Sequence, residues 1–210
     1  MDLKDFGLKK GYLHEAIITT FHLDGIPNAA PIGVYVEGSE KIVLNVHKKT
    51  DTYQNIKRAR CCNVNIVHDP YMFLRCALLG SNMGSGEVEL EGGGVCPEIK
   101  APYILDADSY IALELIRREE FVRKDSVGES EGERMIFKPV GGKLLKAPYS
   151  APDRGLYAGI ELAIGLSRGK KDEVERFLRI IEKSRPKKEY EKIKAFLTDF
   201  LDSLNNDSIK

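Results

Sequence analysis

A surplus of charge of either sign is missing: 32 Lys and Arg stand against 32 Asp and Glu, a formal net charge of zero. A general nucleic-acid binder carries a basic excess, so this balance argues against that class. Long apolar runs are missing too. Stretches such as Ala16–Ile18 and Cys76–Leu79 fall far short of the ~20 residues that a helical membrane crossing needs. The opening MDLKDFGLKK mixes charged and apolar residues and holds no hydrophobic signal core. A cytoplasmic protein without membrane contact is the expectation. Cysteine is scarce, and Cys61, Cys62, Cys76 and Cys96 form no C-x-x-C pair. Cys61 and Cys62, being adjacent, would point to opposite faces of a strand, a poor chelating geometry. They read as buried or incidental thiols of a reducing compartment. His14, His22, His47 and His68 make no i,i+2 or i,i+4 pair, so no metal site is expected. There is no G-x-S-x-G elbow, no P-loop and no H-E-x-x-H. The Gly92–Gly94 run lacks dinucleotide-binding spacing.

What is present is enough for a packed core, since 42% of the residues are hydrophobic. The first 70 residues are β-rich. Glu15–Thr20, Ala29–Glu37 and Lys41–His47 read as three strands, joined by turns at Asp24-Gly25 and Gly38-Ser39-Glu40. In the third, Ile42, Leu44 and Val46 alternate with polar residues. A helix follows, capped by Thr50 or Asp51, with Gln54 in a loose capping box. Cys62–His68 alternates again. Asp69-Pro70 opens a short helix, Tyr71–Leu79, stopped at Gly80. Glu87–Leu90, Tyr103–Leu105, Ser109–Phe121 and Met135–Pro139 are candidate strands. Lys124–Glu133 reads as an exposed hairpin tip, and Gly141-Gly142 as a turn. From Leu156 to Leu204 three amphipathic stripes predict three helices, broken near Pro186.

Two segments carry chemistry. His47–Asn55 (HKKTDTYQN) runs from a strand end into a helix start. Unpaired amides and the helix dipole favour an anion there; Thr50 and Thr52 add hydroxyls, and Lys48 and Lys49 add charge. The same residue types also make an ordinary capped helix with solvated lysines. Asn28–Gly33 (NAAPIG) sets small residues and a proline inside a strand. Proline belongs at an edge or bulge, and small side chains leave room for a flat ring to meet free backbone groups. A hairpin strand with a bulge would look the same.

Together the two segments resemble the FMN-binding split barrel. EAIITTFHLDGIPNAAPIGV, TDTYQNIKRARCCNVNIVHDPYMF and DRGLYAGIELAIGLSR resemble blocks of an uncharacterised, largely archaeal split-barrel family, domain of unknown function 447. The resemblance implies a β-rich α+β chain, with a flavin-binding split β-barrel over residues 1–152 and a C-terminal helical subdomain over 153–210. It implies FMN bound at the interface of a homodimer. Ala30, Pro31, Ile32 and Gly33 would line the isoalloxazine through their backbone. Thr50, Thr52 and Asn55 would hold the phosphate with Lys49 nearby. Thr20 would border the ring, and Arg154 would add positive charge beside Asp153. The implied activity is a flavin-reductase-like oxidoreductase on a small substrate or electron donor. The alternative is a non-catalytic flavin carrier or sensor.

Overall fold

The computed structural model describes residues 1–10, 13–38, 40–82, 94–125, 128–146 and 154–207. It divides into two compact units, Met1–His68 with Arg75–Tyr149, and Asp69–Leu74 with Ser150–Lys210. Among the described residues no helix is long and apolar enough to cross a membrane.

The first unit is a closed six-stranded barrel. Its strands are β1 (Leu13–Phe21), β2 (Pro27–Glu37), β3 (Lys41–His47), β4 (Cys61–Ile66), β7 (Ser109–Asp125) and β8 (Gly128–Leu144), in the order β1-β2-β3-β8-β7-β4. All pairs are antiparallel. The alternating residues of β3, Ile42, Leu44 and Val46, enter the interior with Ile18, Val34, Cys62, Val64, Ile111, Leu113, Met135 and Phe137. Burying such side chains, at about 25 cal/mol per Å² of apolar surface, is the main force closing the barrel.

Helix α1 (Asp51–Ala59) joins β3 to β4. Thr50 caps it: its Oγ1 accepts from Tyr53 N at 3.2 Å. Gln54 does not close a capping box; its Nε2 reaches Lys48 O at 3.2 Å. Arg60 ends the helix at φ 59°, a left-handed conformation, and the chain enters β4 at once. Cys61 and Cys62 do face opposite ways, Cys62 into the barrel and Cys61 into a cluster with Cys96, Ile99, Ala101, Tyr110 and Ala112.

β4 departs from its sequence pattern. Asn63 and Asn65 alternate with Val64 and Ile66 and so read as solvent-facing, yet every residue of β4 is buried. The segment carrying β5 (Gly94–Val95) and β6 (Pro102–Tyr103) covers their face. Asn63 Nδ2 donates to Ala101 O and Pro102 O, while Asn65 Oδ1 accepts from Ile104 N at 2.8 Å.

The long β7–β8 hairpin corrects two expectations. The strands continue to Asp125 and from Gly128, so Glu133 lies inside β8 and is buried. Gly141-Gly142 is strand, opposite Ala112 and Ile111, beside a register shift between Ala112 and Leu113. A bulge, rather than a turn, explains the paired glycines. The strand expected over Glu87–Leu90 and most of the Gly92–Gly94 run lie outside the described residues.

The second unit holds α3 (Arg154–Ser167), α4 (Val174–Ser184) and α5 (Lys187–Asp207), with the first residues of α2 (Pro70–Asn82). α2 runs past Gly80 to Asn82. Ile181, Ile193 and Leu197 from the predicted stripes are buried. Tyr71 stacks edge-on against Phe196 at 5.6 Å, and Lys192 Nζ lies 3.9 Å from the Tyr71 ring centre.

Candidate functional site

β2 has two partners along only part of its length. It pairs with β1 from Pro27↔Phe21 to Tyr35↔Leu13. Its ladder with β3 spans only Val34↔Leu44 to Glu37↔Lys41. Pro27–Gly33 therefore has a strand on one side only, and Pro31 sits where a missing N–H breaks no second ladder. Ala30, Pro31, Ile32 and Gly33 are all half-buried. A Cβ built on Gly33 would meet side chains, Leu13 Cδ1 at 2.7 Å and Glu15 Oε1 at 3.9 Å.

Helix α1 packs against β1, β2 and β3 at this seam. The contact is polar and closed. Asn28 Nδ2 donates to Thr20 Oγ1 at 3.2 Å and to Thr52 Oγ1 at 3.0 Å. Asn55 Nδ2 donates to Thr20 Oγ1 at 3.1 Å, and its Oδ1 accepts from Arg58 at 3.1 Å. Arg58 also donates to Phe21 O. Thr20, Asn28, Thr52 and Asn55 are each at most 4% exposed. Buried polar side chains of this kind require partners, and here they supply them to one another.

The balance of this cluster is tilted to donors. Among the described residues the hydroxyl hydrogens of Thr20 and Thr52 and the second N–H of Asn55 find no acceptor. The same holds for the backbone N–H of Asp51 and Thr52, the first amides of α1. The next two amides are taken: Tyr53 N by Thr50 Oγ1 and Gln54 N by Thr50 O. Among the described residues Asn28 Oδ1 accepts no hydrogen bond. A donor-rich helix start suits an oxyanion, and the residues present fit a phosphate group.

The predicted residues are thus distributed as follows. Thr20, Thr52 and Asn55 are in one hydrogen-bonded cluster; Ala30–Gly33 line the open edge a few residues further along β2. Thr50 is exposed at the helix cap, its hydroxyl donating to His47 O at 2.8 Å. Lys49 is exposed and has no ion-pair partner among the described residues. Arg154 is the first residue of α3, in the second unit, and its side chain lies outside the description, as does Asp153. Lys48 turns away: Nζ binds Glu120 at 2.9 Å and Glu131 at 3.2 Å, which raises it to about 12 and lowers Glu120.

Sequence reasoning placed Asn28 at the start of the Asn28–Gly33 segment without giving its side chain a role, and did not assign Arg58 or Glu133 to this region. A two-residue turn at Asp24-Gly25 would set Thr20 opposite Ala29; the loop is three residues, closed by His22 N donating to Ile26 O at 2.9 Å, and this brings Asn28 opposite Thr20. Glu133 was masked by the charge around it. It is 6% exposed, accepts from the Tyr53 hydroxyl at 2.9 Å and lies 3.5 Å from Arg118. Burial first, then this carboxylate, pushes the Tyr53 hydroxyl up. Among the described residues no group of three His, Cys, Asp or Glu could hold a metal ion.

A six-stranded barrel with one strand edge open beside a helix start is a split barrel. Its topology is similar to that of a protein with a split barrel domain from Shewanella frigidimarina, 15% identical, TM-score 0.50, covering 64% of this chain and 68% of that one. An FMN-bound protein from Methanosarcina mazei is 24% identical over 92% of this chain and 97% of its own, with TM-score 0.68. An FMN-binding protein from Thermus thermophilus is 16% identical over 69% and 80%, with TM-score 0.50. Residues 14–141 match the family described as protein of unknown function (DUF447), N-terminal domain, and the chain belongs to that family.

Proposed function

We propose that this chain is an FMN-binding flavoprotein, a flavin-reductase-like oxidoreductase that works as a cytoplasmic homodimer with the cofactor at its interface. The observation that carries the reading is the one-sided edge of β2 at Pro27–Gly33, next to the donor-rich start of α1. A flat heterocycle with polar edges can hydrogen-bond to free strand N–H and C=O groups, and its phosphate can reach spare donors a few residues away. The FMN-bound protein of similar fold from Methanosarcina mazei supports the choice of ligand.

In this reading Ala30, Pro31, Ile32 and Gly33 present backbone to the isoalloxazine, and the small Ala30 and Gly33 keep its approach open. Thr52, Asn55 and the first amides of α1 hold the phosphate, with the Lys49 charge beside them. Thr50 fixes the start of α1 by capping it. Thr20 anchors the cluster at the ring end, and Arg154 adds positive charge. When bound, the flavin supplies hydride and single-electron transfer; the chain's work is to hold it, exclude water and shape access to it. No side-chain acid or base is required of the chain.

Oxidoreductase and carrier readings part in a direct experiment. The FMN-loaded protein is mixed with NADH, NADPH or a reduced deazaflavin, and flavin bleaching is followed. Reduction faster than that of free FMN by any donor supports the enzyme; bound FMN that none of them reduces leaves a carrier or sensor. Light scattering of the loaded protein should give twice the 23.5 kDa chain mass, and a monomer would remove the shared site.

A further inference from the structure

Three glutamates of the β7–β8 hairpin reach the segment that opens α1. Glu120 and Glu131 hold Lys48 Nζ at 2.9 Å and 3.2 Å, and Lys48 N donates to Glu131 O at 3.0 Å. The third contact lies inside the fold. The Tyr53 hydroxyl donates to Glu133 Oε1 at 2.9 Å, and the two residues are 5% and 6% exposed. Tyr53 adjoins Thr52 and belongs to the first turn of α1, the turn that carries the spare amides of Asp51 and Thr52. A first turn lacks part of its intrahelical bonding and frays unless it is held from outside. Here one residue is held at both of its ends: Thr50 Oγ1 accepts from Tyr53 N at 3.2 Å, and Glu133 accepts from the hydroxyl. Glu133 is itself fixed, by its place in β8 opposite Val46 and by Arg118 Nη1, 3.5 Å from Oε2. The start of α1 is therefore placed by a strand 80 residues further along the chain as well as by its own cap.

We propose that Glu133 is a positioning residue for the phosphate end of the cofactor: through the Tyr53 hydroxyl it fixes the turn of α1 that takes the phosphate. The inference rests on the flavin reading above and adds to it a residue from outside the two segments that carry that reading. Donors already held in place lose little freedom when a ligand binds them. Without the Tyr53–Glu133 bond, the ligand itself has to order the amides of Asp51 and Thr52, and affinity falls for a ligand that uses them. The isoalloxazine draws its contacts from Ala30–Gly33 of β2, which is held by its ladder with β1. A flavin without a phosphate therefore does not depend on this bond.

The experiment is a pair of titrations, FMN and riboflavin, into the flavin-free full chain and into Tyr53→Phe and Glu133→Gln. Tyr53→Phe removes only the hydroxyl. Its FMN affinity should fall about tenfold, with riboflavin affinity changed about threefold or less. Glu133→Gln keeps a carbonyl oxygen for the hydroxyl and should retain most of the preference for FMN. If Tyr53→Phe weakens both flavins equally, or neither, the bond serves the fold alone and the proposal is wrong. It is equally wrong if Glu133→Gln loses the preference as fully as Tyr53→Phe, because charge rather than the hydrogen bond is then at work. Should Tyr53→Phe be too unstable to titrate, Glu133→Asp, which draws the acceptor back by one carbon, takes its place with the same expected and contrary results. A wild-type chain that binds both flavins equally sinks this proposal alone; one that binds neither sinks the flavin reading with it.

Discussion

The Tyr53 hydroxyl donates to Glu133 Oε1 at 2.9 Å, tying α1 to β8 inside a buried pocket. A buried carboxylate oxygen that loses its donor cannot recover it from water. Tyr53→Phe should therefore lower stability by about 1–3 kcal/mol, read from the midpoint of urea unfolding. Glu133→Gln keeps a carbonyl oxygen for the hydroxyl and removes the charge from the pocket, so it should cost less than Tyr53→Phe. The reverse order would show that the Arg118 ion pair at 3.5 Å, rather than the tyrosine, holds Glu133.

The thiols make a prediction at high pH. All four cysteines are buried. Burial, then the hydrogen bond to Glu98, raises the Cys96 thiol to about 11, and burial lifts Cys62 well above its ordinary value. Their unfolded thiols ionise near 8.5, so between about 8.5 and 11 the unfolded chain has lost protons that the folded chain keeps. The contribution of the thiols should be flat below about pH 8.5 and be lost as pH rises toward 11. Tyr110, raised to about 12 by burial and then by Cys96 and Glu98, adds to the loss at the top of that range. Thermal midpoints measured from pH 7 to pH 10.5 check the trend. A disulfide reagent at pH 8 should label the native cysteines far more slowly than the urea-unfolded ones.

Two strand glycines should respond oppositely to alanine. A Cβ at Gly142 would stand 2.7 Å from the Tyr110 carbonyl oxygen, a backbone atom that cannot step aside. Gly142→Ala should cost about 1–3 kcal/mol through overpacking. A Cβ at Gly33 would displace only the side chain of Leu13, itself 53% exposed, so Gly33→Ala should stay within about 0.5 kcal/mol of the parent. If Gly33→Ala nonetheless weakens FMN binding, the glycine serves the ligand rather than the fold.

The barrel strands up to β4 and the α1 helix were legible because their signals are local. Alternation in Lys41–His47, the turn residues at Asp24-Gly25 and the Thr50 cap each need only a few neighbouring residues. What the sequence could not show depends on distant chain. Asn63 and Asn65 read as outward-facing until residues 101–104 are laid over them. Lys124–Glu133 reads as a solvated tip because its charges pair across the hairpin and with Lys48, as in Lys48–Glu131. The site was legible in outline for a related reason: Asn28–Gly33 and His47–Asn55 each announce unusual backbone. That Thr20, Asn28, Thr52 and Asn55 close into one cluster depends on how α1 packs on β1 and β2, which no spacing in the sequence encodes.

The most direct measurement is a titration of the purified, flavin-free chain with FMN, followed by gel filtration and a visible spectrum of the protein peak. Saturable uptake to one FMN per chain, with the flavin band travelling with the protein and weakened in Thr52→Val, is the predicted result. A protein peak that emerges colourless after incubation with excess FMN would contradict the account.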